Sequence, residues 1–317
     1  TYTEVPRTGH GCRRPEIWKQ VIPWLLDQRK ERRPRQVSLA TYTLRHNRAY
    51  WVTIEQLEIY GERGSVEAVL AEGDALDVAT KEVRVVSLGP IPNCTALALT
   101  IDGQALGSLD LSGQQTFQRG ADGAWQAGGV DLSAQKRHAA SGPIGDLFHD
   151  GLLLVPGTAG SGEETFFNQW IADNARGYYA SRNGGVHRGG IMGHNAVELS
   201  SVADGELDEE RLAANNLLLY GNGASNSVLA RFAEGLPLRV ADDRIDLAGK
   251  TYAEPGVAVF AAFPHPLHPE RYLAVHGGTA PDAICWGSHL DMQLLPDYLV
   301  YAGGDVLDWG FWDNEWR

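Results

Sequence analysis

The spacing of apolar positions divides the chain into three stretches. In the first, Ile17, Val21, Trp24 and Leu25 recur at helical spacing. Pro15-Glu16 suits the first turn and Pro34 would end the helix, so a loop and one helix are expected over residues 1–34. From residue 36 the period becomes two: Val37, Leu39, Thr41 and Thr43 alternate, and Tyr50-Trp-Val-Thr-Ile-Glu-Gln-Leu-Glu-Ile follows. Further strands are expected at Ser65–Leu70, Ala75–Val78, Glu82–Leu88, Ala96–Ile101 and Gln104–Leu109, with Asp102-Gly103 as a tight-turn signal. Gln115–Gln118 and Gly123–Gln126 extend the pattern.

Many short strands with turns every 8–12 residues predict an immunoglobulin-like β-sandwich over residues 36–140. From Gly142 the pattern becomes alternating α and β. Gly151–Val155 and Asn215–Tyr220 are continuous apolar runs, as expected where both faces of a strand are buried. Glu163–Arg182 reads as a helix, Leu207–Ala214 as a short helix or turn, and Ser227–Ala233 as another helix. Leu236–Val240, Arg244–Leu247, Gly256–Phe263 and Tyr272–His276 read as strands. Such alternation predicts an α/β domain with a mostly parallel sheet over residues 142–317. There is no internal repeat and no low-complexity segment.

Charge sharpens this division. The net charge is −13, yet residues 1–50 hold 11 Lys/Arg against 4 Asp/Glu, a surplus of +7 that leaves about −20 on the other 267 residues. An acidic body argues against nucleic acid, because phosphate contacts need clustered Lys/Arg. The basic run Arg29–Arg35 reads as a solvated helix end. No apolar run approaches the roughly 20 residues a membrane-spanning helix needs, so no membrane partner is expected. Cys12, Cys94 and Cys285 are widely separated and match no zinc or redox spacing. The polar start Thr1–Pro6 has no signal-peptide apolar core, and a first residue other than Met suggests a fragment or a processed product.

Four segments raise questions of chemistry. Val155-Pro-Gly-Thr-Ala-Gly-Ser-Gly-Glu-Glu-Thr165 has glycines at phosphate-loop spacing, but Glu163 stands where the lysine should be and would repel phosphate. Gly221-Asn-Gly-Ala-Ser-Asn226 matches a dinucleotide loop except in its last position; Ser225 or Asn226 is expected to act as a helix N-cap. No cofactor is expected at either loop. His265, His268, His276, His289 and Asp291 offer metal-ligating groups. However, three prolines make Pro264–Pro269 an extended turn without a helical face, so no metal is expected there, and less so at His187 and His194 in their glycine-rich loop. Trp309, Phe311, Trp312 and Trp316 are expected to pin the last segment onto a core.

Gly9-His10-Gly11, just ahead of the helix near Pro15, is the sharpest signal, because a catalytic histidine of an α/β-hydrolase sits on such a loop before the last helix. Thr8-Gly-His-Gly, Trp18, Pro23-Trp24-Leu25 and Arg33–Val52 together resemble the end of the hydrolase domain in secreted bacterial prolyl-oligopeptidase-like α/β-hydrolases. The resemblance continues through Gly142–Asp146, Asn216–Asn226, Pro264–Tyr272 and Val306–Trp316. It departs at His265 and His268, where Asn would be expected, and at Asn222-Gly223, where Asp-Pro would be.

The resemblance implies the C-terminal portion of a serine hydrolase that cleaves ester or peptide bonds, with a small-molecule or peptide substrate and a secreted or periplasmic location. His10 would be the triad histidine, and the N-terminal catalytic portion, in the same or a separate chain, would be the partner. No Gly-x-Ser-x-Gly elbow occurs in the 317 residues, and only nine residues precede His10, so nucleophile and acid would lie elsewhere. By itself, then, the chain is expected to be inactive. The competing expectation is a non-catalytic binding or structural module for a glycan or protein partner.

Overall fold

The computed structural model describes residues 14–31, 34–71, 74–91, 94–180 and 199–317. His10, His187, His194 and Cys12 lie outside the described residues. The chain forms two compact units, residues 1–35 and 36–317.

The first unit holds α1 (Pro15–Asp27), which opens with proline in its first turn and carries Pro23 inside it. It ends at Asp27, before the proline at 34 that was expected to stop it, because Gln28 is already extended. None of its residues is buried; Trp18, Ile22, Trp24, Leu25 and Leu26 are all exposed.

The second unit begins with two five-stranded sheets. One has the order β1 (Gln36–Thr41), β4 (Gly64–Leu70), β5 (Ala75–Lys81), β7 (Leu97–Ile101), β8 (Gln104–Leu109). The other has the order β10 (Trp125–Ala127), β9 (Gln115–Arg119), β6 (Val83–Leu88), β3 (Val52–Leu57), β2 (Arg48–Ala49). Strict alternation along β1 buries Val37, Leu39 and Thr41, and the inward residues of both sheets, among them Val66, Val78, Ile54, Val86 and Phe117, form one core. Asp102 and Gly103 both have positive φ (48° and 81°), the geometry of a two-residue hairpin whose twist matches its strands.

The remaining chain builds a seven-stranded sheet in the order β12 (Ser200–Ser201), β11 (Leu152–Pro156), β13 (Asn216–Tyr220), β18 (Tyr272–Gly278), β17 (Val257–Pro264), β19 (Tyr298–Ala302), β20 (Asp305–Gly310). Helix α2 (Gly162–Ala180) and the short α3 (Glu209–Ala214) and α4 (Ser227–Phe232) lie in the connections, and β14 (Leu238–Val240), β15 (Ile245–Leu247) and β16 (Lys250–Tyr252) form a small antiparallel sheet. The first four strands pair in parallel and the last three pairings are antiparallel, so the large sheet is mixed and the expectation of a mostly parallel sheet is corrected. Connection length is the reason. Residues 265–271 and Gly303-Gly304 are far too short for the crossover of a dozen or more residues that parallel neighbours need.

A buried ion pair links the two cores. Lys136, fully buried, bonds Asp297 beneath the Tyr60 ring, 3.9 Å from its centroid. Asp297 also accepts the Trp312 N–H at 2.8 Å, and Asn314 donates to the Leu57 carbonyl at 3.0 Å. Burial pulls the Lys136 ammonium below its usual range and lifts the Asp297 carboxyl, while their attraction opposes both shifts. The aromatic tail is pinned in part: Trp312 and Trp316 are buried, whereas Trp309 is exposed. Among the described residues no helix is long and apolar enough to cross a membrane.

Candidate functional site

In an open sheet, ligands bind in the crevice beyond the carboxyl ends of parallel strands. Here β11, β13 and β18 end side by side, and their following loops enclose a polar crevice of about 210 Å³. Ser161, Glu164 and Asn168 line it from the start of α2, Asn222 and Ser225 from the loop after β13, Thr279 from beyond β18 and Asp242 from beyond β14. The two glycine-rich segments set aside as nucleotide-loop lookalikes therefore meet in one place.

Their glycines allow the approach. A Cβ on Gly157 would fall 2.4 Å from the Ser225 carbonyl oxygen. Gly221 has φ +119°, and a Cβ there would fall 2.6 Å from Ser225 Oγ. Asn226, fully buried, does cap α4: its Oδ1 accepts from the Val228 and Leu229 N–H groups at 3.1 and 3.0 Å. Its Nδ2 donates to the carbonyls of Val155 and Tyr220, tying the ends of β11 and β13 together. Sequence reasoning found the cap but not this second duty, which depends on strands 65 residues apart.

Asn222 is the centre of the crevice. Its Nδ2 donates to Glu164 Oε1 and Asp242 Oδ1, both at 3.1 Å, and its Oδ1 accepts from the backbone N–H groups of Ala224 and Ser225. One amide is thus held between two carboxylates. Partial burial pushes the Glu164 carboxyl up, but the Ser161 N–H and hydroxyl and the Asn222 amide outweigh it and hold the group below the usual range. Glu164 and Ser161 also form a reciprocal capping box at the start of α2. At α4, Asp204 accepts the Ser227 N–H at 2.6 Å. Both helix starts are already neutralised by the protein's own carboxylates, so the crevice repels phosphate and favours a cationic or hydroxylated group.

The other candidates separate cleanly. His276 is buried on β18, stacks on Phe260 with ring centroids 4.8 Å apart, and shares a 2.6 Å hydrogen bond with the Tyr301 hydroxyl. Burial lowers it to about 3, which keeps the imidazole neutral. His265 is buried against Phe232, and its Nδ1 accepts from the N–H groups of Leu267 and His268, which makes it the organiser of the 265–271 turn. Burial, then the neighbouring His268 and Arg231, lowers it to about 4. Among the described residues no three His, Cys, Asp or Glu side chains group as metal ligands. Nor does any hydrogen bond among the described residues join a serine hydroxyl to a histidine ring. No protein-family model and no curated protein matches the sequence.

Proposed function

We propose that this chain is the C-terminal portion of a serine hydrolase acting on ester or peptide bonds, and that residues 36–317 recognise substrate rather than perform the chemistry. His10 would take the proton of a serine supplied by the N-terminal catalytic portion and return it to the leaving group. Substrate recognition would fall to the crevice, where Glu164 and Asp242 receive an amino or hydroxyl group of the substrate. A secreted or periplasmic location accompanies this reading through the same resemblance.

The observation that carries it is α1. A 13-residue helix is marginal in water unless its apolar face is packed, yet Trp24 is 57% exposed and Leu26 69%. The last helix of a hydrolase domain packs on that domain's sheet, so the catalytic portion is the natural cover for this face. A hydrolase carrying Trp24→Asp and Leu25→Asp should lose soluble, active assembly. The equally polar change Val306→Asp, on the exposed β20, should leave it intact. Full activity in the doubly substituted protein would defeat the reading.

A further inference from the structure

A second cavity, about 650 Å³, opens where the sandwich core meets the mixed-sheet core. Its size lies in the range of small-molecule sites, and such sites favour boundaries between packed layers. One wall is the turn Leu44–His46, which brings Arg45 and His46; the other is the turn Ile144–His149, which brings Asp146 and His149. Tyr42, Phe148 and Phe311 supply the apolar lining.

Both turns are fixed from behind. Leu44 is fully buried, its carbonyl meets His138 Nδ1 at 2.8 Å, and Thr43 Oγ1 accepts the Arg45 N–H. On the facing turn Ile144 and Leu147 are buried, and a Cβ on Gly145 would fall 2.7 Å from the Gln293 carbonyl oxygen. Asp146 accepts the Tyr272 hydroxyl at 2.9 Å through one oxygen and lies 3.4 Å from His149 Nε2 through the other. Asp146 is thus held by Tyr272 from β18 and by His149 from its own turn, and the Arg45 guanidinium attracts it from across the cavity. Arg45 forms no ion pair among the described residues. Partial burial lowers His149, and the nearby Arg45 and His46 lower it further, which favours the neutral imidazole and leaves Arg45 as the permanent positive charge at the cavity. Residues 36–317 hold 18 Lys/Arg against 36 Asp/Glu, and in that acidic surrounding an arginine and two imidazoles held at one cavity require a reason.

We propose that this cleft binds a carboxylate carried on an aromatic body, with Arg45 gripping the carboxylate, His46 and His149 flanking it, and Tyr42, Phe148 and Phe311 receiving the ring. Arginine suits the role because its planar fork matches a carboxylate bidentately. The ligand is either a free aromatic acid or the C-terminus of a peptide that ends in an aromatic residue.

Calorimetric titration of the whole chain tests this with four probes: N-acetylphenylalanine, its amide, a hexapeptide ending in a free phenylalanine carboxylate, and the same peptide amidated. Both free acids binding at least about tenfold more tightly than their amides identifies a peptide-terminus site, and preference confined to N-acetylphenylalanine identifies a small-molecule site. Arg45→Met should abolish the preference without lowering the melting temperature, and His149→Gln should reduce it. Equal binding of acid and amide, no binding of any probe, or an unchanged preference in R45M would overturn the proposal.

Discussion

The crevice at the strand ends and the cleft between the cores are both concave and rigidly framed, but they are opposite in the charge of their lining and in construction. The crevice is assembled from consecutive loops of one sheet and places an amide between Glu164 and Asp242. The cleft takes Arg45 and His46 from the sandwich and His149 from the segment leading into the mixed sheet. In each, buried anchors set the geometry: Asn226 for the crevice, Leu44 and the Asp146–Tyr272 pair for the cleft. A site formed beside strand ends depends on one core, whereas a site between cores depends on whatever holds the cores together.

That distinction can be broken at Lys136. Removing one partner of a buried ion pair leaves the other charge uncompensated, so Lys136→Ala should cost about 3–5 kcal/mol in chemical denaturation. It should also loosen the cleft more than the crevice. A loss under about 1 kcal/mol would mean that the cores are joined elsewhere.

Acid should act on the sheet more than on the sandwich. His276 and His265 have folded values of about 3 and 4, below the ordinary 6.5. Between those limits the unfolded chain takes up protons that the folded chain refuses, so stability falls as pH drops below about 6.5. The slope is at most about 1.4 kcal/mol per pH unit for each histidine. Asp146 works the other way: burial raises it to about 6, so it binds a proton in the folded state first and adds stability as pH falls from 6 towards 4. Two histidines outweigh one carboxyl. His276→Phe keeps the stack on Phe260 and should flatten the decline between pH 7 and 4.5, measured as urea midpoints.

Asn226→Ala removes a helix cap and two buried strand-end hydrogen bonds, for about 3 kcal/mol. Crevice binding should be lost and cleft binding retained; loss of both would mean that the sites are coupled. Smallest in stability is Asp242→Asn, within about 0.5 kcal/mol at this exposed position. Its signature should be kinetic: KM for an amino-bearing substrate rises while kcat holds.

Much of the fold was legible from pattern. Alternation located β1, β4 and β5 because one face of each is solvated, and the apolar runs located β11, β13, β17 and β18. β19 and β20 escaped because a two-residue turn joins them and neither alternates: Leu299, Val300 and Tyr301 are buried in succession, and Asp305, Val306 and Leu307 are exposed in succession. The crevice was half legible: Ser225 and Asn226 carry a capping signal, but Asp242 reaches Asn222 only through the small sheet's placement. The cleft left no local signal, since Arg45 and His149 are 104 positions apart and meet only because the two cores do.

On the proposed reading His10 takes part in the chemistry and residues 36–317 recognise substrate. His10→Ala in the assembled hydrolase tests it most directly. Loss of the general base should lower kcat by roughly a thousandfold or more, with KM and melting temperature unchanged. Turnover within a few-fold of the parent enzyme would contradict the account.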